Sequence, residues 1–255
     1  MSLAVIAFLF VAGVAVSTDH WQLAADGRLV FSSNFSGTQL DTRVWDTCYV
    51  RFVAATGCTN FGNPQEEEWY LPSQVDVSGG VLHLVARETP TVGRNSSGAP
   101  KIYPYRSGMV TTYTSFRFTY GLVRVVARLP GGIGTWPALW LLPANGSWPP
   151  EIDIMENFGL ARTELDTFHW ASWNGPQEHR TTVTSPSDLA RGWHRYSLDW
   201  EPGSLTWYLD GKVVDSYTGS NVPSRPMYLL ANLAIDGPAA SSASFDIESV
   251  QIWQR

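Results

Sequence analysis

The chain is poor in charged residues for its length. Lys, Arg, Asp and Glu make up 16% of its 255 residues, and the formal net charge is −6. No run of Lys or Arg is present that could neutralise a row of phosphates, so nothing in the composition favours a nucleic-acid-binding protein. The acidic balance also argues against a protein that binds an anionic membrane surface.

Cysteine is scarcer still, with only Cys48 and Cys58 in the chain. In an oxidising compartment these two residues are expected to form a disulfide that closes a short loop. In a reducing compartment they would remain free thiols. The disulfide prediction therefore depends on whether the protein is exported.

One apolar run stands out, at the N-terminus. Residues 1–16 are almost wholly apolar, and Ala15-Val16-Ser17 supplies the small residues at which a signal peptidase cuts. The run of about 14 apolar residues is shorter than the roughly 20 that a membrane-spanning helix needs. We therefore expect residues 1–17 to be a cleaved signal peptide and residues 18–255 to be a secreted, extracellular domain. An uncleaved anchor is the alternative.

Sustained helical periodicity is rare in the chain, whereas short strand patterns and turn residues are common. Aromatic residues make up 13% of the sequence, a surplus that favours β-structure. Short strands are predicted at 75–77, 81–86, 109–113, 121–129, 138–142, 195–200, 205–209 and 245–253. Even strand spacing without intervening helices predicts one all-β domain built as a sandwich. Within it, residues 89–100 are the stretch that we expect to be disordered.

Residues 151–156, with the sequence Glu-Ile-Asp-Ile-Met-Glu, form the most informative segment. In a strand the two isoleucines would face the core, while Glu151 and Asp153 would point to the opposite face. Strict alternation would then place Glu156 in the core, where an ionised carboxylate is costly to bury. One extra residue, a β-bulge near Ile154-Met155, would return Glu156 to the acidic face.

Three acids on one surface suit the chemistry of glycoside hydrolysis. A retaining glycosidase needs a nucleophilic carboxylate and a protonatable one about 5–5.5 Å apart, on either side of the scissile bond. Asp153 between Glu151 and Glu156 brings like charges together, which raises the pKa of at least one carboxyl and keeps a proton on the cluster near neutral pH. A solvent-facing strand with chance acids is the alternative.

Aromatic residues are concentrated around this strand. In chain order the rings are Trp136, Trp140, Phe168, His169, Trp170 and Trp173. Sugar rings stack their apolar faces on such side chains, so Trp136, Trp140 and Trp173 are candidate substrate-binding residues. Trp136 and Trp140 share a strand parity opposite to that of Leu139 and Leu141, which predicts the tryptophans in a cleft and the leucines in the core. The alternative is that the aromatic residues belong to the core.

These residues resemble glycoside hydrolase family 16, and within it the laminarinase-type endo-β-1,3-glucanases. The most specific match is Glu-x-Asp-x-x-Glu, here Glu151, Asp153 and Glu156, preceded by the sequence from Gly134 to Pro143. Further matches lie in the family's order at 63–70, 107–112, 120–121, 193–200, 207–211 and 229–234. The longer acid spacing is typical of the laminarinase-like branch, whereas lichenases and xyloglucan transglycosylases tend to carry Glu-x-Asp-x-Glu.

The resemblance implies both a fold and residue roles. The fold is a jelly-roll β-sandwich of two antiparallel sheets, concanavalin A-like, with a substrate cleft on the concave sheet. Glu151 is implied as the nucleophile, Glu156 as the acid/base, and Asp153 as the residue that hydrogen-bonds the nucleophile. The implied substrate-binding residues are Trp136, Trp140, His169 and Asn232. For His169 a purely structural histidine is the alternative.

The implied function is that of a secreted, retaining endo-glycosidase that hydrolyses a β-linked glucan, first of all β-1,3-glucan. We expect a polysaccharide substrate, no metal or other cofactor in the reaction, no nucleic-acid partner and a monomer. Two alternatives keep the fold, namely a non-catalytic β-glucan-binding lectin and a transglycosylase. A third is a hydrolase of another bacterial or algal polysaccharide, because the sequence from Trp148 to Pro150 recurs in such relatives.

Two features fit the resemblance less closely. The family's structural calcium site uses acids near both ends of the domain, and the corresponding places here look like Asn34 and Glu248. Both offer oxygen ligands, so a structural calcium ion at these residues stays an alternative. The run Glu66-Glu67-Glu68 is compatible with substrate binding, with ion binding or with a solvated surface.

Overall fold

The computed structural model of the chain describes residues 27–49, 63–95, 97–185, 187–239 and 242–255. These residues form strands and one short 3-10 helix, Pro72–Gln74. The strands are β1 (Arg28–Ser33), β2 (Glu68–Tyr70), β3 (Val75–Ser78), β4 (Val81–Arg94), β5 (Pro100–Ser107), β6 (Met109–Thr111), β7 (Gly121–Arg128), β8 (Thr135–Pro143), β9 (Glu151–Glu156), β10 (Thr163–Ser172), β11 (Gly175–Thr184), β12 (His194–Glu201), β13 (Ser204–Leu209), β14 (Lys212–Thr218), β15 (Met227–Ile235) and β16 (Ser242–Gln254).

The strands form two sheets. The larger sheet has ten strands in the order β14-β13-β12-β7-β16-β4-β5-β2, with β1 paired to β16 and β3 paired to β4. The smaller sheet has six strands in the order β11-β10-β9-β8-β15-β6, and all of its pairings are antiparallel. The predicted jelly-roll sandwich is confirmed, with one exception to the antiparallel pattern, because β2 pairs with β5 in parallel.

The main core lies between the two sheets, and β8 shows how the sequence pattern produces it. Leu139 and Leu141 are fully buried in this core, whereas Trp136 and Trp140 line a cavity on the opposite face of the sheet. Each fully buried leucine contributes about 1.5–3 kcal/mol relative to an exposed one. A slip of one residue would exchange the two faces, so core burial fixes which side chains enter the cavity.

The outer face of the six-stranded sheet is partly covered. Tyr228 and Leu230 on β15 and Trp140 on β8 form a second, smaller cluster with Tyr49 and Tyr70. Tyr70 belongs to β2 and Tyr49 follows β1 in the chain. The cavity that holds the acidic residues lies beside this cover, over β8, β9 and β10.

The expectation of disorder at residues 89–100 is wrong. β4 and β5 form a hairpin across this stretch, in which Val92 pairs with Ile102. The Asn95 side chain accepts a hydrogen bond from the backbone N–H of Ala99 and so closes the turn. Polar and turn residues dominate the composition of this stretch, which is why the sequence suggests disorder. Its β-branched residues nevertheless form a strand once their backbone pairs with a neighbouring strand.

Two predictions concern residues outside the described ranges. The signal peptide at residues 1–17 lies entirely outside them, and so does Cys58. Cys48 is disulfide-bonded, and its pairing with Cys58 stays a prediction. Within the described ranges, no helix is long and apolar enough to cross a membrane.

Candidate active site

β9 contains the bulge that the spacing of the acids predicts. From Asp153 to Met155 this strand takes two steps, whereas β8 takes one, from Trp140 to Leu139. On the other side, β9 takes three steps from Asp153 to Glu156 where β10 takes two. β9 therefore carries one extra residue against both neighbours, which confirms the predicted bulge.

The bulge separates the side chains of β9 onto two faces. The apolar side chains pack into the main core. Glu151, Asp153 and Glu156 all line one cavity of about 380 Å³ on the outer face of the six-stranded sheet. Asp153 and Glu156 are only 2% and 8% exposed, and Glu151 is partly exposed. The structure thus brings the three predicted catalytic acids together.

Glu151 and Asp153 share a set of close contacts with His169. The indole N–H of Trp148 donates to Glu151 Oε2 over 2.7 Å, and the Trp148 ring lies 6.1 Å from the His169 ring between centroids. His169 is directly opposite Glu151 in the β9–β10 pairing, and its Nε2 lies 3.4 Å from Asp153 Oδ2. On the far side, His169 Nδ1 lies 3.6 Å from Glu178 Oε2 on β11. His169 therefore faces the cleft, as predicted.

Glu156 has different partners. The indole N–H of Trp136 donates to Glu156 Oε1 over 2.9 Å, and the Thr167 hydroxyl donates to Oε2 over 3.4 Å. Trp136 packs against Phe158 with ring centroids 4.8 Å apart, and both rings line the cavity. Glu156 is thus held at one side of the cavity by donors that do not contact Glu151.

Burial raises the pKa of all three carboxyls above their ordinary range. The charge of Asp153 raises the pKa of Glu151 further, and the charge of Glu156 does the same for Asp153. For Glu156, the hydrogen bond from Trp136 opposes the effect of burial. Asp153 also hydrogen-bonds with the carboxyl of Glu151, a contact that needs a proton between the two groups. The three carboxyls therefore titrate as a coupled set and hold their protons to higher pH than exposed acids do.

Trp140 and Asn232 form the floor of the cavity. The Trp140 indole N–H donates to Asn232 Oδ1 over 2.7 Å, and Asn232 Nδ2 donates to the Tyr70 hydroxyl over 2.9 Å. Both Trp140 and Asn232 are 6% exposed. Their bonds fix the ring and the amide, so the cavity offers a preformed surface of apolar and hydrogen-bonding atoms.

The structure does not bring Trp173 into this cavity. Trp173 lies in the turn between β10 and β11, after Ser172 pairs with Gly175, and it is 94% exposed. The tryptophan is absent from the cavity lining, unlike the other predicted substrate-binding residues. A contact between Trp173 and substrate stays a prediction, for a part of the glycan outside the cavity.

Several cavity residues escape prediction from the sequence. Trp148, Phe158, Arg180 and Tyr49 line the cavity beside the predicted residues. Arg180 pairs with Thr167 across β10 and β11, and its charge opposes the effect of burial on the pKa of Glu156. Trp148 and Phe158 lie within three residues of the ends of β9, so closeness in sequence to the acids is enough to predict that they line the cavity. Arg180 and Tyr49 come from distant segments and give no such signal.

The run of three glutamates is not a solvated surface as a whole. Glu66 is 7% exposed and lines the cavity, and Glu68 is fully buried. Glu68 Oε2 accepts a hydrogen bond from the backbone N–H of Ile235 over 2.7 Å. Burial raises the pKa of Glu68 well above its ordinary range, and the charge of Glu66 adds to this effect. Glu66 is therefore a fourth acid in the cavity.

The residues suggested for a calcium site, Asn34 and Glu248, lie beside the β1–β16 pairing of Ser33 with Val250. Asn34 Oδ1 accepts a hydrogen bond from the backbone N–H of Ser36, and Glu248 is exposed on β16. Among the described residues, the acids and histidines whose ligand atoms converge are Glu151, Asp153 and His169, so Glu248 belongs to no such group. A calcium ion takes six to eight oxygen ligands, including backbone carbonyls and waters, so calcium at this place stays a prediction.

Comparison with known proteins gives close relatives by sequence. The endo-1,3-1,4-beta-glycanase EglC of Rhizobium meliloti (strain 1021) is 33% identical over 238 residues, which cover 87% of this chain and 50% of that protein. The beta-glucanase of Rhodothermus marinus is 29% identical over 258 residues, which cover 90% of this chain and 81% of that protein. This chain therefore spans about half the length of EglC and most of the beta-glucanase.

Comparison with solved structures and with protein families agrees with these relatives. The laminarinase catalytic domain of Thermotoga maritima matches with a TM-score of 0.76 at 27% identity, over 90% of this chain and 99% of that one. The family described as "Glycosyl hydrolases family 16" matches residues 69–250. Because that match covers more than half of the 255 residues, this chain belongs to glycosyl hydrolase family 16.

Proposed function

We propose that this chain is the catalytic domain of a secreted, retaining endo-hydrolase of β-linked glucan, with β-1,3-glucan as its first substrate. The observation that carries the proposal is the bulge in β9, because it brings Glu151 and Glu156 into one cavity with Asp153 between them. Two carboxyls on one surface, one of them protonated near neutral pH, are what a double displacement requires.

In the first displacement, a Glu151 oxygen attacks the anomeric carbon and the glycosidic C–O bond breaks. The leaving oxygen takes the proton of Glu156, whose carboxylate is then stabilised by the donors Trp136 and Thr167. Asp153 donates its proton in a hydrogen bond to Glu151, which keeps the attacking oxygen oriented. The product of this step is a covalent glycosyl ester on Glu151.

In the second displacement, water attacks the anomeric carbon of that ester from the side that the leaving group has vacated. Glu156, now ionised, takes a proton from the water and returns to its protonated form. The Glu151 ester bond breaks, and the nucleophile regains its carboxylate. Two inversions at the same carbon give net retention of the β-configuration.

The choice of a neutral glucan is supported by the charge of the cavity. Among the described residues, four carboxyl groups line it, those of Glu66, Glu151, Asp153 and Glu156, against one guanidinium, that of Arg180. An acidic substituent on the sugar would meet this excess of carboxyls. The rings of Trp136, Trp148 and Phe158 offer apolar surfaces on which uncharged sugar rings stack. Relatives named as β-glucanases and laminarinases point to the same substrate class.

Export is supported by the N-terminal sequence and by the state of Cys48. Residues 1–17 have the composition of a signal peptide. Cys48 is disulfide-bonded, which fits an oxidising compartment.

The experiment that tests the proposed activity compares the wild type with Glu151→Gln on four polysaccharides. These are laminarin, mixed-linkage glucan, agarose and an acidic exopolysaccharide, with release of reducing ends as the readout. We expect laminarin to be cut fastest and Glu151→Gln to be inactive, because an amide does not form the ester. Cleavage of none of the four by the folded wild type contradicts the enzyme proposal and favours a glucan-binding protein. Longer oligosaccharides formed from added acceptors would identify a transglycosylase.

A further inference from the structure

One hydrogen bond links the ten-stranded sheet to the backbone of the catalytic strand. The indole N–H of Trp207, on β13, donates to the backbone carbonyl of Asp153, on β9, over 2.8 Å. Trp207 is fully buried in the main core. The bond therefore crosses the interior from one sheet to the other, directly beneath the acids.

The bulge explains why this carbonyl accepts a bond from the other sheet. In a regular strand, carbonyl groups lie in the plane of the sheet and pair with the neighbouring strands. The extra residue of a bulge disrupts that ladder. Asp153 is the last residue in register with Trp140 and Thr167 before the bulge begins. Its carbonyl is turned toward the interior, where Trp207 satisfies it.

The direction of this carbonyl sets the geometry of the acids on both sides of it. A rotation of the peptide group after Asp153 changes how β9 bends at the bulge, and so moves Glu156 relative to Glu151. It also moves the Asp153 carboxyl, which hydrogen-bonds with Glu151 and lies 3.4 Å from His169 Nε2. Catalytic groups lose much of their effect when they are misplaced by about 1 Å.

We propose that Trp207 is a positioning residue of the active site, which holds the Asp153 carbonyl and thereby keeps Glu151 and Glu156 at the separation that catalysis needs. Trp207 does not touch substrate and acts through the backbone of β9. The kinetic test of this inference rests on the proposed hydrolase function, because it measures turnover of laminarin. Its structural readout does not depend on turnover.

The test replaces Trp207 with phenylalanine, which removes the donor and keeps a ring in the core. The matched control is Trp200→Phe, because Trp200 is equally buried and its indole N–H donates over 3.0 Å to a carbonyl outside β9, that of Pro223. Both variants lose the same chemical group, so we expect similar falls in melting temperature. On laminarin, Trp207→Phe should lower kcat about tenfold or more with little change in KM. Trp200→Phe should leave both constants within about twofold.

NMR of the backbone and carboxyl carbons of residues 153–156 tests, without substrate, whether Trp207 holds this part of β9 in place. We expect Trp207→Phe to shift these signals and Trp200→Phe to leave them in place. If Trp207→Phe does not fold, benzothienylalanine at position 207 keeps the shape of the side chain without the N–H. Unchanged kcat and unchanged signals in the Trp207 variant overturn the proposal. An inactive wild type contradicts the hydrolase function, and the NMR comparison then decides on Trp207.

Discussion

Glu151 accepts a hydrogen bond from a neutral side chain, the indole N–H of Trp148. Burial raises the pKa of Glu151, and this hydrogen bond is among the contacts that oppose the rise. Trp148 is 51% exposed, so its ring also presents a face to the solvent side of the cavity. We therefore expect Trp148 both to orient the proposed nucleophile and to offer a stacking surface to substrate.

Trp148→Phe keeps the stacking surface and removes the donor. We expect kcat/KM to fall about tenfold, as for one hydrogen bond to a charged group. Loss of the donor raises the pKa of Glu151 further, so the acidic limb of the pH profile of kcat/KM should move to higher pH. The control is Trp193→Phe, since Trp193 packs against Arg128 on the ten-stranded sheet. An unshifted acidic limb in Trp148→Phe means that the bond does not act on the nucleophile.

At the residue scale, the sequence predicts which side chains face the cavity where the alternation of a strand decides it, and it predicts few of the others. Glu151, Trp136 and Trp140 reach the cavity because their neighbours in the strand are buried on the other face. Trp173 does not, because the β10–β11 turn intervenes after Ser172 and parity no longer applies. Arg180 enters through the pairing of an edge strand, and pairing between distant segments leaves no local pattern in the sequence.

At the scale of elements, the bulge of β9 is the feature that returns Glu156 to the face of Glu151 and Asp153 in this six-residue segment. Its presence is predicted from six residues, because an ionised carboxylate at the sixth position is costly to bury in an apolar core. The parallel pairing of β2 with β5 and the full length of β4 do not follow from the sequence. Both depend on backbone pairing rather than on an alternation of apolar residues.

Deletion of Ile154 tests what the extra residue does. Without it, Glu151, Asp153 and Glu156 fall on one face by strict alternation, so we expect the deletion variant to keep more laminarin cleavage than Glu156→Ala. The control is Ile154→Ala, which keeps the bulge and loses the buried side chain, at a cost of about 2–5 kcal/mol. A deletion variant that is folded but as inactive as Glu156→Ala shows that the bulge itself shapes the site.

At the scale of the whole molecule, two acids of the six-stranded sheet are buried in the interior between the sheets. Glu164 and Asp166 on β10 are 2% and 1% exposed, and they share the face of Phe168, which lies in the main core. Burial raises the pKa of both well above the ordinary range, helped by the charge of Asp166 on Glu164 and of Asp215 on Asp166. No sequence pattern predicts this, since an acid in an amphipathic strand is expected on its polar face.

These raised pKa values predict how stability depends on pH. The folded state holds protons on Glu164 and Asp166 at pH values where the unfolded chain has released them, so the free energy of unfolding should fall as pH rises above about 4. Glu164→Gln removes one such group. We expect its melting temperature to exceed that of the wild type by a few degrees at pH 7 and to match it near pH 4. A variant less stable than the wild type at pH 7 contradicts this assignment.

The assignment of Glu151 as nucleophile and Glu156 as acid/base is tested most directly by the configuration of one product. Glu156→Ala should cleave laminarin about 10²–10⁴-fold more slowly than the wild type, because the general acid/base is lost. On an aryl β-1,3-glucoside, whose leaving group departs without a proton, the Glu151 ester still forms in this variant. Azide needs no proton removal to attack that ester, so it should restore turnover and give a β-glycosyl azide, which proton NMR identifies. An α-glycosyl azide would make Glu156 the nucleophile, and the absence of any azide product from a folded variant would contradict the double displacement.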